Sequence, residues 1–163
     1  ERGELGVLCG ADEETFRDLE PLFSSFATTV RHFGPPGSGH AAKLVSNYLV
    51  TGMVALVADA FATARRSGID WRSLYEVMLN GSGNSGVLRK MVAPALDGDF
   101  DGYRFSIANA AKDIGYYARL ADGEGRLTPL AETVAAVFAD AVETGHGGRN
   151  VSHLLDPALD DVT

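Results

Sequence analysis

The chain has 163 residues, of which 45% are hydrophobic and 22% charged, and its formal net charge is −8. These proportions are typical of a globular protein and unlike those of disordered or fibrous chains. The negative charge disfavours nucleic acid as a partner, and the single cysteine, Cys9, excludes an internal disulfide and a cysteine-based zinc site. We therefore expect a soluble, cytoplasmic protein.

The first 35 residues predict a strand, a helix and a second strand. An apolar run from Leu5 to Gly10 predicts a buried first strand, and the β-branched run from Thr28 to Phe33 predicts the second strand. Asp12 is suited to cap the amphipathic helix between them. A unit this small cannot cover both faces of a parallel sheet. We therefore expect a fragment of a larger α/β domain whose earlier part is missing, and residues 1–4 lack the pattern of a signal sequence.

The remainder, residues 36–163, predicts an all-helical domain in which glycines and prolines separate the helices. The expected helices run from Ser38 to Ser67, Trp71 to Asn80, Ser85 to Leu96, Phe105 to Leu120 and Thr128 to Glu143, with a short turn from Asn150 to Leu155. The expected fold class is mainly α, with a long central helix preceded by the strand-helix-strand piece.

The helix that begins at Ser38 is apolar almost all round, which is typical of a central or interface helix. At 1.5 Å per residue it is about 45 Å long, and the other helices are too short to cover it. We therefore predict a homodimer or a higher even-numbered oligomer. Its most apolar stretch, Leu44 to Ala58, contains Ser46, Asn47 and Thr51, so we expect it to be too short and too polar to span a membrane.

One polar stripe interrupts this helix, at His40, Lys43, Asn47 and Thr51. The preceding segment, residues 34–39, resembles a dinucleotide fingerprint only superficially, because its glycine spacing differs and its two prolines lack amide hydrogens. What remains is a glycine-lined approach to a helix N-terminus that suits a carboxylate. A plain interdomain turn is an equally good interpretation of the glycines.

Lys43 is one of only three lysines, with Lys90 and Lys112, among fourteen lysines and arginines. A lysine is needed where a proton must be given and taken back, because arginine stays charged. The apolar helix and its positive end would both lower the pKa of Lys43. The alternative is an ordinary surface lysine, and for Lys112 beside Asp113 it is an exposed pair on a helix. His146 and His153 show no metal-ligand spacing, and we expect no metal site.

The pattern Gly34-x-x-Gly37-x-Gly39-x-x-x-Lys43-x-x-x-Asn47, followed further along by Phe105 and Lys112-Asp113-Ile-Gly, resembles the β-hydroxyacid dehydrogenase family. The segment from Gly3 to Glu13 looks like the strand that closes the family's Rossmann domain. The resemblance therefore implies that residues 1–35 are the terminal fragment of a Rossmann dinucleotide-binding domain and residues 36–163 a helical substrate and dimerisation domain.

The resemblance also implies roles for individual residues. It makes Lys43 the catalytic general acid/base of a 3-hydroxyacid dehydrogenase or semialdehyde reductase that uses NAD or NADP. It gives substrate-orienting roles to Gly37, Ser38, Gly39 and Asn47, and places Lys112 and Asp113 towards the nicotinamide. The substrate implied is a small carboxylate-bearing hydroxyacid or semialdehyde.

Parts of the family pattern lie outside these residues, namely the glycine fingerprint and the Ser-Gly-Gly substrate loop. We therefore expect the cofactor to be bound mainly by the missing domain, and the isolated chain to be inactive. The stretch from Gly147 to Asn150 also departs from the family, which usually carries an acidic residue there.

Two alternatives remain. A non-catalytic helical dimerisation module would need no dinucleotide site, and nothing in the sequence can bind a pyrophosphate. Imine reductases share the family's architecture but typically replace the lysine, so Lys43 favours hydroxyacid chemistry.

Overall fold

The computed structural model describes residues 5–162. The expectation that residues 1–4 lack a signal sequence therefore lies outside the described residues. The chain divides into two compact units, Glu1–Asn47 and Tyr48–Thr163. The boundary falls inside a long helix, whereas the sequence places it in the loop before that helix. The described residues form six α-helices and one two-stranded parallel sheet, so the mainly α class is confirmed.

The first unit contains the parallel sheet and one complete helix. Strand β1 (Gly6–Cys9) pairs with β2 (Thr29–His32), with Gly6 opposite Thr29 and Cys9 opposite His32. Helix α1 (Glu13–Ser24) connects them, and the Asp12 carboxylate accepts the first-turn amide of Thr15 at 2.9 Å. Neither strand nor α1 has a fully buried residue, so the strand-helix-strand prediction is right but the expected burial of β1 is wrong.

Helix α2 (Ser38–Arg66) passes from the first unit into the second. Its later turns supply Val54, Ala58 and Phe61 to the core of the second unit. The helix has 29 residues and, by length and composition alone, could cross a membrane. This corrects the expectation that the stretch is too short, although the core helix of a soluble protein meets the same criteria.

The second unit is built from the rest of α2 and four further helices. These are α3 (Trp71–Asn80), α4 (Gly86–Ala95), α5 (Ile107–Gly123) and α6 (Pro129–Glu143), followed by two 3₁₀-helices, Val151–Leu155 and Pro157–Val162. Its core has fully buried side chains from α2, α4, α5, α6 and the first 3₁₀-helix. The largest of them are Phe61, Leu88, Met91, Ile107, Ile114, Phe138 and Leu155.

Two helix starts differ from the sequence expectation for the same reason. The Ser85 hydroxyl accepts the amide of Leu88 at 3.0 Å, and the Ser106 hydroxyl accepts the amide of Asn109 at 3.3 Å. Both serines are therefore caps that precede α4 and α5 rather than residues inside them. The second 3₁₀-helix is an element that the sequence analysis missed.

Candidate functional site

The first turn of α2 lies directly against the carboxyl end of β1. Gly39 is buried, and a Cβ atom placed on it would lie 2.8 Å from the Gly10 amide nitrogen and would also collide with the Leu8 carbonyl. A Cβ atom on Gly10 would lie 2.7 Å from the Gly39 nitrogen. Both glycines are therefore required because two backbones touch here, and this contact fixes where α2 begins relative to the strand.

The loop that leads into α2 is fixed at both ends. Gly34 and Gly37 adopt φ values of 119° and 97°, which favour glycine. The amide of Ala11 donates to the Gly34 carbonyl at 2.9 Å, and the amide of Ser38 donates to Pro35 at 3.1 Å. The glycines predicted at this helix entry thus form an ordered turn.

The Ser38 hydroxyl within this turn is buried and has no hydrogen-bond partner within residues 5–162. A Cβ atom on Gly10 would lie 2.7 Å from this hydroxyl, so the serine faces the β1 end of the loop. The Ser38 side chain therefore packs inward at the contact between α2 and β1.

Lys43 lines an open cleft of about 230 Å³ in the first unit. The cleft is bounded by Gly6, Leu8, Gly39, His40 and Lys43. Lys43 is exposed. The first turns of α2 face a small sheet and an open cleft, whereas the apolar surroundings of this helix begin several turns later.

The polar stripe continues along α2 from Lys43. Asn47 follows one turn later and is half-buried, and Thr51 is fully buried, with its hydroxyl donating to the Tyr48 carbonyl at 3.1 Å. The stripe therefore changes from an exposed lysine to a buried threonine within about two helical turns. Lys43 and Asn47 share one face of the helix, as the sequence spacing predicts.

Lys112 and Asp113 belong to the second unit, on α5. The Lys112 ammonium lies 3.6 Å from the Asp113 carboxylate, and the two side chains are 54% and 17% exposed. Lys112 is thus half-exposed and accessible to a ligand, while the largely buried Asp113 stays close to it.

The chain segment after α6 is hydrogen-bonded to the first turn of α5. The amides of Ile107 and Ala108 donate to the carbonyls of Arg149 and Gly147, both at 2.9 Å. These bonds satisfy first-turn amides that would otherwise lack partners. The stretch from Gly147 to Asn150, singled out in the sequence, therefore acts through its backbone to position the helix that carries Lys112.

An acidic residue supports the same region. The Asp101 carboxylate accepts hydrogen bonds from the side-chain Nδ2 of Asn150 at 2.7 Å and from Nε2 of His153 at 3.1 Å. These contacts hold the pKa of Asp101 below its usual range. His153 therefore has a structural contact, which the sequence did not reveal. Across residues 5–162, no group of three or more potential metal-binding side chains occurs.

Of the residues predicted for the site, one set lies together at the start of α2. These are Gly37, Ser38, Gly39, Lys43 and Asn47, all in the first unit. Lys112 and Asp113 lie in the second unit. His40 and Leu8 also line the cleft, and the sequence predicts no site role for either. The spacing of three residues between His40 and Lys43 could have revealed His40, because it places both on one face of the helix. Leu8 reaches the cleft only in the folded chain.

Comparison with protein-family models gives one match, to the NAD-binding domain of NADP-dependent 3-hydroxyisobutyrate dehydrogenase, over residues 37–158. The L-threonate dehydrogenase of Escherichia coli K12 is 29% identical over 94% of this chain and 51% of its own length. The 2-(hydroxymethyl)glutarate dehydrogenase of Eubacterium barkeri is 29% identical over 95% of this chain and 52% of its own.

Solved structures show the same similarity. The crystal structure of 3-hydroxyisobutyrate dehydrogenase from Salmonella typhimurium superimposes with a TM-score of 0.84 and 29% identity, covering 93% of this chain and 53% of that one. The chain thus spans about half the length of the relatives it matches.

Proposed function

Because this chain belongs to the family of the NAD-binding domain of NADP-dependent 3-hydroxyisobutyrate dehydrogenase, we propose that it is the C-terminal portion of an NAD(P)-dependent hydroxyacid dehydrogenase or semialdehyde reductase. In this proposal Lys43 is the general acid/base. The observation that carries it is the cleft at the start of α2, where the contact between Gly39 and β1 fixes the helix and Lys43 lines the open side.

The proposed chemistry is a proton transfer at the Lys43 amine. In oxidation, neutral Lys43 accepts the substrate hydroxyl proton at Nζ while the carbon-bound hydrogen leaves as hydride. In reduction, the Lys43 ammonium donates that proton to the forming alkoxide. The nicotinamide, when bound, supplies the hydride acceptor or donor. Arginine could not replace this lysine, because its guanidinium does not release a proton.

The two helix starts of the first unit do not fit the pyrophosphate of a dinucleotide. The approach to α2 contains Pro35 and Pro36, which have no amide hydrogen, and the Ser38 amide is already bonded to Pro35. At the other helix start, the negative Asp12 side chain occupies the first-turn amide of α1. We therefore propose that the cofactor, NAD or NADP, is held mainly by a Rossmann domain outside this chain, with Lys112 and Asp113 near the nicotinamide.

The substrate side of the proposal uses the start of α2. The backbone of Gly37 and Gly39 and the Asn47 side chain, which lies one turn beyond Lys43 on the same face, would orient a small carboxylate-bearing substrate. Lys43 is exposed in the chain itself, so the substrate and the cofactor domain would exclude water from it. That exclusion would strengthen the interactions that move the proton.

The test is the Lys43→Ala variant of the full-length enzyme, assayed with NAD and NADP on L-threonate and 3-hydroxyisobutyrate. We expect kcat to fall about 10²- to 10⁴-fold, the usual contribution of a general acid/base. Lys43→Arg should not restore activity. Lys90→Ala is the matched lysine control, because Lys90 lies in the second unit, where its Nζ is 5.2 Å from the centroid of the Tyr103 ring. Near-normal turnover of Lys43→Ala would overturn the assignment.

We also propose that the protein is a homodimer or a higher even-numbered oligomer. Val45, Leu49 and Leu56 on α2 are each more than half exposed, and Leu130 on α6 is 62% exposed. Leu49, Leu56 and Leu130 line an apolar groove of about 440 Å³ in the second unit. An apolar groove of this size suits a second copy of the chain. Light scattering at micromolar concentration should give at least twice the monomer mass, and a clean monomer would contradict the proposal.

A further inference from the structure

His40 lines the Lys43 cleft without a structural task of its own. Its ring has no hydrogen bond, ion pair or ring contact with any of the residues that the structure describes. The other histidine of the first unit, His32, differs, because its ring stacks on Phe16 at 4.6 Å and its Nε2 lies 2.7 Å from the Ala11 carbonyl. A histidine that lines a cleft without any such contact is available to a ligand.

The cleft offers few other side-chain hydrogen-bonding groups. Of its five lining residues, two are glycines and one is Leu8, so only Lys43 and His40 carry polar side chains. They are three residues apart on α2, which places their Cβ atoms about 5–6 Å apart on one face. If Lys43 receives the reacting hydroxyl, the imidazole faces a different part of the same substrate.

The chemistry of the imidazole indicates what that part is. A neutral ring has one donor and one acceptor nitrogen, which matches a hydroxyl group in either direction. A methyl substituent can neither donate nor accept a hydrogen bond, so it would leave the imidazole without a partner and would gain no affinity from the ring. The carboxylate, common to all hydroxyacids, is already accounted for by the proposed helix entry at residues 37–39.

We propose that His40 is a specificity-determining residue that hydrogen-bonds a second hydroxyl of the substrate. It thereby favours polyhydroxylated acids over acids that carry a methyl branch. The inference rests on the proposed function and names the substrate class of the same cleft. His40 does not transfer the proton; that role stays with Lys43.

The experiment compares two substrates in the full-length enzyme at saturating cofactor. L-Threonate carries two hydroxyls beyond the reacting one, whereas 3-hydroxyisobutyrate carries a methyl group. We expect His40→Leu to raise KM for L-threonate about tenfold. Both kcat and the KM for 3-hydroxyisobutyrate should change less than about twofold, because one hydrogen bond is absent from that complex.

Two variants make the comparison specific. His40→Gln should bring the KM for L-threonate back close to the wild-type value, because the glutamine amide can both donate and accept a hydrogen bond. His146→Gln changes a histidine of the second unit that has no proposed role and should leave both substrates unaffected. An equal rise in KM for both substrates, a fall in kcat for both, or no change would each overturn the inference.

A second measurement does not depend on turnover. In ¹⁵N-histidine spectra of the chain, L-threonate should shift the ring signals of His40 and not those of His146, and 3-hydroxyisobutyrate should shift neither. An unshifted His40 ring at saturating L-threonate would contradict the inference even if the enzyme is active. A shifted ring in a protein that oxidises no hydroxyacid would instead contradict the proposed function alone.

Discussion

The two units of the chain differ in how much apolar surface they bury. In the first unit, the large apolar side chains that are exposed come from β1, α1, the start of α2 and the nearby loops. They are Leu5, Leu8, Leu19, Leu22, Phe26, Phe33 and Val45. In the second unit, α2, α4, α5 and α6 bury complete side chains, including Phe61, Leu88 and Phe138, in one core. The second unit therefore has the packing of a domain, and the first has regular structure without a core of its own.

The unit that contains the buried core is therefore not the unit that contains the proposed reactive residues. The proposed acid/base, Lys43, and the proposed specificity residue, His40, lie in the poorly packed unit, yet both are on α2. The same helix places Val54 and Phe61 in the core of the second unit. A reactive group mounted on an element that is anchored elsewhere keeps its geometry without a local core.

Core truncation should show the largest difference between the units. Phe138→Ala removes a fully buried ring from the second unit, and we expect it to lower the free energy of unfolding by about 3–5 kcal/mol. Phe26→Ala is the matched change in the first unit, where the ring is 50% exposed, and should cost much less. Denaturant titrations of both variants measure the difference, and equal losses would refute the comparison.

The contact between α2 and β1 should matter for activity more than for stability. Gly39→Ala forces the helix away from Leu8 and Gly10. A displacement of about 1 Å costs on the order of 10²-fold in rate, so we expect kcat/KM of the full-length enzyme to fall by that factor while the second unit keeps its melting temperature. Gly86→Ala in the first turn of α4 is the control, because a Cβ atom there meets nothing within 4 Å. Equal activity of the two variants would mean that the contact does not position the site.

Acid should affect the two units differently. The lowered pKa of Asp101 means that its contribution to stability is complete above the unfolded value, near 3.9, and is lost as pH falls through the lower folded value. Asp101→Asn should therefore flatten the fall in melting temperature below about pH 4. Asp12 also has a lowered pKa, through its bonds with Thr15, but Asp12→Asn should leave that thermal transition unchanged because it lies in the first unit. Parallel curves for wild type and Asp101→Asn would contradict this account.

Local sequence signals predicted the elements of both units well. The sequence predicts Asp12 as a cap, and its carboxylate accepts the amide of Thr15 in the first turn of α1. Such caps are visible in sequence because they act over three residues. The family resemblance, carried by the glycines before Lys43 and by Lys112-Asp113, is confirmed by the family match.

The sequence could not show what depends on contacts between distant residues. The meeting of Gly39 with Leu8 and Gly10 and the exposure of Lys43 arise from tertiary packing. The bonds that Asn150 and His153 make to Asp101 join residues about 50 positions apart. Apolar periodicity also cannot distinguish a strand buried within its own unit from one left open, as β1 is.

In the proposed enzyme, this chain supplies the acid/base and the substrate cleft, while the dinucleotide is bound by another part of the protein. Calorimetric titration of NADH and NADPH into the 163-residue chain tests it directly. We predict no measurable binding of either, because Lys112 supplies too few contacts to offset the entropy of immobilising a dinucleotide. Micromolar binding of either nucleotide would contradict the claim and place a complete cofactor site within this chain.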